Sequence, residues 1–228
     1  MNEFGKKGRE ERLTKSYNGV PILSDRAYNG LMGTVVAYGL IVNILMCIYC
    51  TEFAMQMNPW VLLIGYFALS IIGIFIAGVS DNPIVSFIGY NLLVCPVGLV
   101  LSLVVDEYGG IDSMVVVQAF FLTLLITGCM IVLSICYPDF FNSLGKTLFC
   151  SLLGIIIARL VCLFTGWDTT IIAWFSAIIF SLYIGYDFNR SQQFVKTMDN
   201  AVDCALDIYL DIINLFLDIL QILGKKKD

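Results

Sequence analysis

An all-α integral membrane protein, built as a seven-helix bundle, is the fold class this sequence predicts, and three observations carry it. Hydrophobic residues make up 59% of the 228 residues and charged ones 14%, against the 45–50% and about 25% usual for soluble domains. Mean hydropathy is +0.86, which leaves too little polar side chain to coat a water-soluble globule of this length. Apolar stretches close to the ~20 residues that cross a bilayer as a helix recur along the chain.

Six such stretches run Tyr28–Tyr49, Trp60–Gly78, Ile84–Val105, Met114–Cys136, Lys146–Thr165 and Thr169–Tyr186, and the acidic segment Ala201–Leu223 makes a seventh. The connections between them read as turns: Gln56–Pro59, Ser80–Pro83, Asp106–Ser113, Tyr137–Gly145 and Gly166–Asp168. Loops this short leave no room for an extramembrane domain. The organisation is thus a polar segment 1–26, a helical membrane domain 27–224 and a basic tail 225–228. Gly73, Gly89, Gly98, Gly128 and Gly154 are expected at close helix contacts, where small residues let backbones approach.

Lys6, Lys7, Arg9, Arg12, Lys15 and Arg26 precede the first span, and no basic residue lies between the first and the second. The positive-inside rule then places the N-terminus in the cytoplasm, with Lys146, Arg190 and Lys196 on the same side. The leading segment is too long and too mixed in charge for a cleavable signal peptide, so the first helix is an anchor. Seven crossings would put Lys225–Lys227 outside, against that rule. A full crossing suits the length of the last segment, and a re-entrant path with both ends inside is the alternative. Compact loops and the lack of organellar sorting signals point to a bacterial plasma membrane.

Several functions are excluded. Nine of the 13 basic residues sit in the first 26 or the last four positions, which gives no support for nucleic-acid binding. There is no histidine, and with it goes the commonest metal ligand and general base. Most of the eight cysteines fall in or beside apolar helices, where cysteine acts as a small hydrophobe. Cys47 and Cys50 have CxxC spacing but lack the βαβ context of a redox motif. Nucleophile-elbow, phosphate-loop and dinucleotide patterns are absent. The chain therefore reads as a non-enzyme with no cofactor.

The functional signal lies in ionisable groups within the apolar segments. Asp203, Asp207, Asp211 and Asp218, spaced four, four and seven apart, fall with Asn214 inside an arc of roughly 80° on one helix. In so apolar a chain this stripe is expected to face the bundle interior, where intramembrane charge is costly and functional. An amphipathic helix on the membrane surface is the competing reading, but such helices typically carry a basic polar face. Asp187 sits near the end of the sixth helix, and a short reversal brings it toward the stripe. Arg159 is the basic residue deep in a span, and it calls for a carboxylate or a water-filled cavity.

Phe180-Ser181-Leu182-Tyr183-Ile184-Gly185-Tyr186-Asp187, followed by Ala205-Leu206-Asp207-Ile208-Tyr209-Leu210-Asp211-Ile212-Ile213-Asn214-Leu215-Phe216, closely resembles the C-terminal signature of the transmembrane Bax inhibitor motif (Bax inhibitor-1-like) family, in a bacterial form. Gly98–Ser102, Val117–Thr123 and Asp139–Gly145 are weaker landmarks. The resemblance implies a seven-helix bundle with the acidic helix near its centre, and a pH-sensitive calcium leak whose sensor is the pair Asp187 and Asp211. One departure matters: where the family's bacterial type carries a basic latch after the second helix, this chain reads Gly78-Val79-Ser80-Asp81-Asn82.

Elementary electrostatics agrees with a paired sensor. Two carboxylates close together at low dielectric cannot both ionise cheaply, so they share a proton. Deprotonated, they offer calcium the hard oxygen ligands it prefers. The expected partners are membrane lipid, calcium as a permeant or bound ion, and protons. Asp203, Asp207, Asp218 and Asn214 are candidates for an ion pathway, with Arg159 as an ion-pair partner. Two other classes stay open: a non-conducting regulatory scaffold that binds other membrane proteins, and a proton-coupled transporter of a small solute.

Overall fold

The computed structural model describes residues 21–224; the basic N-terminal residues up to 20 and the tail 225–228 lie outside the described residues. Among the described residues there are nine helices and no strand: α1 (Asp25–Tyr49), α2 (Thr51–Gln56), α3 (Pro59–Val79), α4 (Pro83–Glu107), α5 (Met114–Cys136), α6 (Pro138–Ser143), α7 (Gly145–Thr165), α8 (Thr170–Ser191) and α9 (Met198–Leu223). Six of them, α1, α3, α4, α5, α7 and α8, are long and apolar enough to cross a membrane. At 21–25 residues they measure about 32–38 Å, which exceeds the ~30 Å hydrocarbon core. Trp60, Phe75, Leu163, Phe164 and Trp174 stand largely exposed on them, as side chains solvated by lipid rather than water would.

Several boundaries differ from those expected. The stretch around Glu52 folds into α2, and the expected turn at Tyr137–Gly145 folds into α6, started by Pro138 at a first-turn position. The sixth long helix continues past Tyr186 to Ser191, so Asp187 and Arg190 are helical. The last helix starts at Met198, where Thr197 Oγ1 accepts from Asn200 N at 3.1 Å, an N-cap bond to the third helical residue. Asn58 and Asn82 cap α3 and α4 by accepting from the second helical residue, Trp60 N and Ile84 N, each just before a proline.

The chain divides into two compact units. In the first, formed by residues up to 111 and by 191–209, α3 and α4 meet through glycine. A Cβ on Gly73 would lie 2.5 Å from Gly89 O, and one on Gly89 2.6 Å from Gly73 O. Gly98 packs equally tightly on Asn43 and Met46. Gly128 and Gly154 correct the expectation: a Cβ on either would meet nothing within 4 Å, because both occupy exposed faces of their helices. Buried Asn43 donates to Tyr209 Oη at 2.6 Å, and its Oδ1 has no hydrogen-bond partner among the described residues.

A polar clasp in the same unit joins the start of α1 to the α8–α9 connection. Leu23 N donates to Lys196 O at 2.7 Å, and Lys196 pairs with Asp25. Asn29 and Gln192 exchange amide hydrogen bonds at 3.2 and 2.8 Å. Tyr28 Oη, fully buried, points at Asn200 O (3.5 Å) and Cys204 Sγ (3.4 Å).

The second unit comprises residues 112–190 and those from 210 on. Asn189 on α8 donates to Pro138 O at 3.0 Å and Asn142 Oδ1 at 2.9 Å, fixing α6 to the end of α8. Gly185 lies against the ring of buried Phe141, and Gly145 against Tyr186. Gln221 near the end of α9 donates to Thr169 Oγ1, just ahead of α8. Asp168 Oδ1 accepts from Thr170 N at 2.8 Å and thereby caps α8.

Candidate functional site

An acidic residue on an apolar helix is stable only where something other than lipid surrounds it. α9 meets that condition. Ala201, Leu206, Tyr209, Ile212, Leu215 and Leu220 are buried on its apolar sides, and Asp211 and Asp218 are buried on its acidic side. The stripe is not uniform, however. Asp203 and Asn214 are half-buried, while Asp207 is exposed. Asn214 donates to Leu210 O at 2.8 Å within its own helix.

In the second unit, 210–223 of α9 runs antiparallel to α8. As residue number rises along α9 it falls along α8: Asp211 lies near Tyr183, Asp218 near Ser176, and Gln221 at Thr169. The Tyr183 hydroxyl is within Coulombic reach of both Asp187 and Asp211. Asp187 is itself largely buried and has Arg190 Nη1 3.9 Å from its Oδ1, one helical turn away. The two aspartates of the resemblance thus both lie within electrostatic range of one tyrosine, and a cation stands beside the first of them.

Farther along α9, Asp218 is fully buried and its Oδ1 takes Arg159 Nη2 of α7. The same Nη2 donates to Ser176 Oγ at 3.3 Å. Arg159 is thereby joined to the stripe at Asp218.

The region of the absent latch belongs to the first unit. Asp81 and Asn82 line a cavity of about 390 Å³ with Pro21, Thr197, Asp199 and Asn200. Asp199 is held there by Ser86 Oγ at 2.6 Å. Among the described residues no basic side chain lines that cavity.

Among the described residues no three of His, Cys, Asp or Glu gather closely enough to hold a metal ion, and none of the eight cysteines is in a disulfide. Three participants were not singled out by sequence. The three-residue spacing of Asp187 and Arg190 could have flagged that pair. Tyr183 and Ser176 join only through the register of α8 on α9, which no local pattern reveals.

Six apolar spanning helices, with buried carboxylates answered by arginines inside them, define a polytopic α-helical integral membrane protein. The chain belongs to the family described as "Inhibitor of apoptosis-promoting Bax1", whose sequence profile matches residues 23–228. An uncharacterized protein of Helicobacter pylori is 40% identical over 110 residues, covering 47% of this chain and 46% of that protein. An uncharacterized membrane protein of Streptococcus pyogenes is 29% identical over 136 residues, 56% of this chain and 58% of its own. Bax inhibitor 1 of Schizosaccharomyces pombe is 28% identical over 180 residues, 76% of this chain and 65% of that one. The match to the Helicobacter protein spans about half of its length.

Proposed function

We propose that this protein is a pH-sensitive calcium leak of a bacterial plasma membrane, N-terminus cytoplasmic, in which α9 is the seventh crossing and stands near the centre of the bundle. The observation that supports the reading is that Asp187 and buried Asp211 both lie within electrostatic range of Tyr183. With 26 residues, α9 is about 39 Å long and can cross fully. Asp187 and Asp211 form the proton-sharing pair. Deprotonated, they offer oxygen ligands to calcium; protonated, they do not. Calcium favours 6–8 oxygens, so a two-carboxylate site binds it weakly and lets it leave, as conduction requires. Arg190, beside Asp187, takes the role that the sequence after the second helix does not supply. Exposed Asp207 recruits cations to the mouth. No chemistry on a bound substrate is involved.

The test is calcium flux into liposomes across a pH series. Asp187→Asn and Asp211→Asn should each flatten the pH profile. Unchanged profiles in both variants would reject the pair as sensor. A second reading, a non-conducting protein that binds a membrane partner, is favoured by the family's description and by the name of the fission-yeast relative, which speak of inhibition. Absence of flux at any pH from correctly folded protein would support it. A proton-coupled solute transporter would instead show proton flux that depends on added solute.

A further inference from the structure

We infer that Arg159 is a tethered counter-cation that occupies Asp218 and closes the acidic side of α9 to permeating cations, seven residues beyond Asp211. This rests on the leak reading and adds to it a second barrier, remote from Asp187.

Asp211 and Asp218 lie on the same side of α9, about 10 Å apart along its axis. Both are buried, and Asp218 is entirely so. A cation passing along that side would meet two carboxylates in sequence. The second is already filled, because Arg159 Nη2 sits on Asp218 Oδ1. Its guanidinium has a further anchor in Ser176 Oγ, 3.3 Å away and fully buried.

Packing does not account for this pair. Arg159 is six residues short of the end of α7 at Thr165, about 9 Å inside the helix, where a basic side chain is costly. A buried ion pair is commonly no more stable than well-packed apolar residues of like volume. The positive charge does have a local electrostatic consequence: it cancels the attraction of Asp218 for any other cation and repels one arriving from Asp211. The arginine side chain is 43% exposed while its partner is fully enclosed. The cation is therefore the member free to swing away, and the carboxylate stays on the path.

The experiment is calcium entry into liposomes containing the full chain, comparing wild type with Arg159→Gln, Arg159→Lys, Ser176→Ala and the double variant Arg159→Gln/Asp218→Asn. Folding is checked by monodisperse elution and helical circular dichroism. Arg159→Gln should raise flux severalfold, Arg159→Lys should stay near wild type, and the double variant should fall back toward it. Ser176→Ala removes a hydroxyl that bonds both Arg159 and Asp218 and keeps the ion pair. It should raise flux about twofold, and it tests the idea even if Arg159→Gln fails to fold. A conducting wild type with no rise in any folded single variant overturns the barrier and leaves the leak intact. A silent wild type with a conducting Arg159→Gln keeps the barrier and overturns the leak as a property of the native chain. Silence in every folded variant overturns both.

Discussion

Replacing Gly185 by alanine inserts one methyl group at a place where the structure has no room for it. The new Cβ would fall 2.8 Å from Phe141 Cζ and 2.9 Å from Cδ1, and closer still to Cε1. Ordinary carbon contacts begin near 3.4 Å, so α8 and α6 would have to part by about half an ångström or more. Phe141 is 2% exposed and cannot rotate away. Overpacking of this kind costs about 1–3 kcal/mol. The gain from alanine's better helix propensity, ~1 kcal/mol, offsets part of it. The net loss should be up to about 2 kcal/mol in a reversible SDS-unfolding titration. Gly154→Ala, with nothing within 4 Å of its Cβ, receives the propensity gain alone and should be neutral or slightly stabilised. Phe141→Leu combined with Gly185→Ala should cost less than the sum of the two single changes, by about 1 kcal/mol. If Gly185→Ala proves as benign as Gly154→Ala, the close packing of α8 on α6 is refuted.

Two further outcomes are expected. Tyr209→Phe removes the 2.6 Å bond from Asn43, whose amide is already short of a partner; the loss should be about 1–2 kcal/mol, with most of it recovered in Tyr209→Phe/Asn43→Leu, and equal losses in the single and double variants would refute it. Arg159→Gln strands a wholly buried carboxylate and should cost about 3 kcal/mol at neutral pH, shrinking as acid protonates Asp218, whereas Asp218→Asn strands a cation that is 43% exposed and should cost ~1 kcal/mol or less; denaturation at two pH values that ranks them the other way contradicts the geometry.

The spans were legible because lipid imposes one rule along the whole chain: about twenty apolar residues, ended by polar capping residues and proline. Asn58-Pro59 and Asn82-Pro83 announce helix starts that the structure places there. Short helices were harder to see. Six-residue α2 and α6 carry too few turns for a periodicity, and proline at the head of α6 reads equally well as a turn. The extension of α8 through Asp187 to Arg190 was hidden by polar residues that look like a loop; there Asn189 ties α8 to α6. The side of α9 that bears the acids followed from arithmetic on residue numbers. That Asp218 meets Arg159 did not, since it depends on how α7, α8 and α9 pack in the second unit. Gly128 and Gly154 mislead for a related reason: a small residue permits close approach, and only a facing helix makes use of it.

The clasp between the start of α1 and residues 192–204 has a consequence for biogenesis. Its bonds join positions 163–176 apart in sequence, so α1 cannot make them until nearly all of the membrane domain has been synthesised. At about 5–20 residues per second, the wait is on the order of ten to thirty seconds. Throughout it Tyr28, Asn29 and Asp25 need water or lipid headgroups for their hydrogen bonds, which keeps that end of the helix at the bilayer surface. Closing so long a loop late is also slow in itself. The inserted chain must therefore persist as a set of spans whose first and last members have not yet met, and a membrane chaperone or a protease would encounter it in that state.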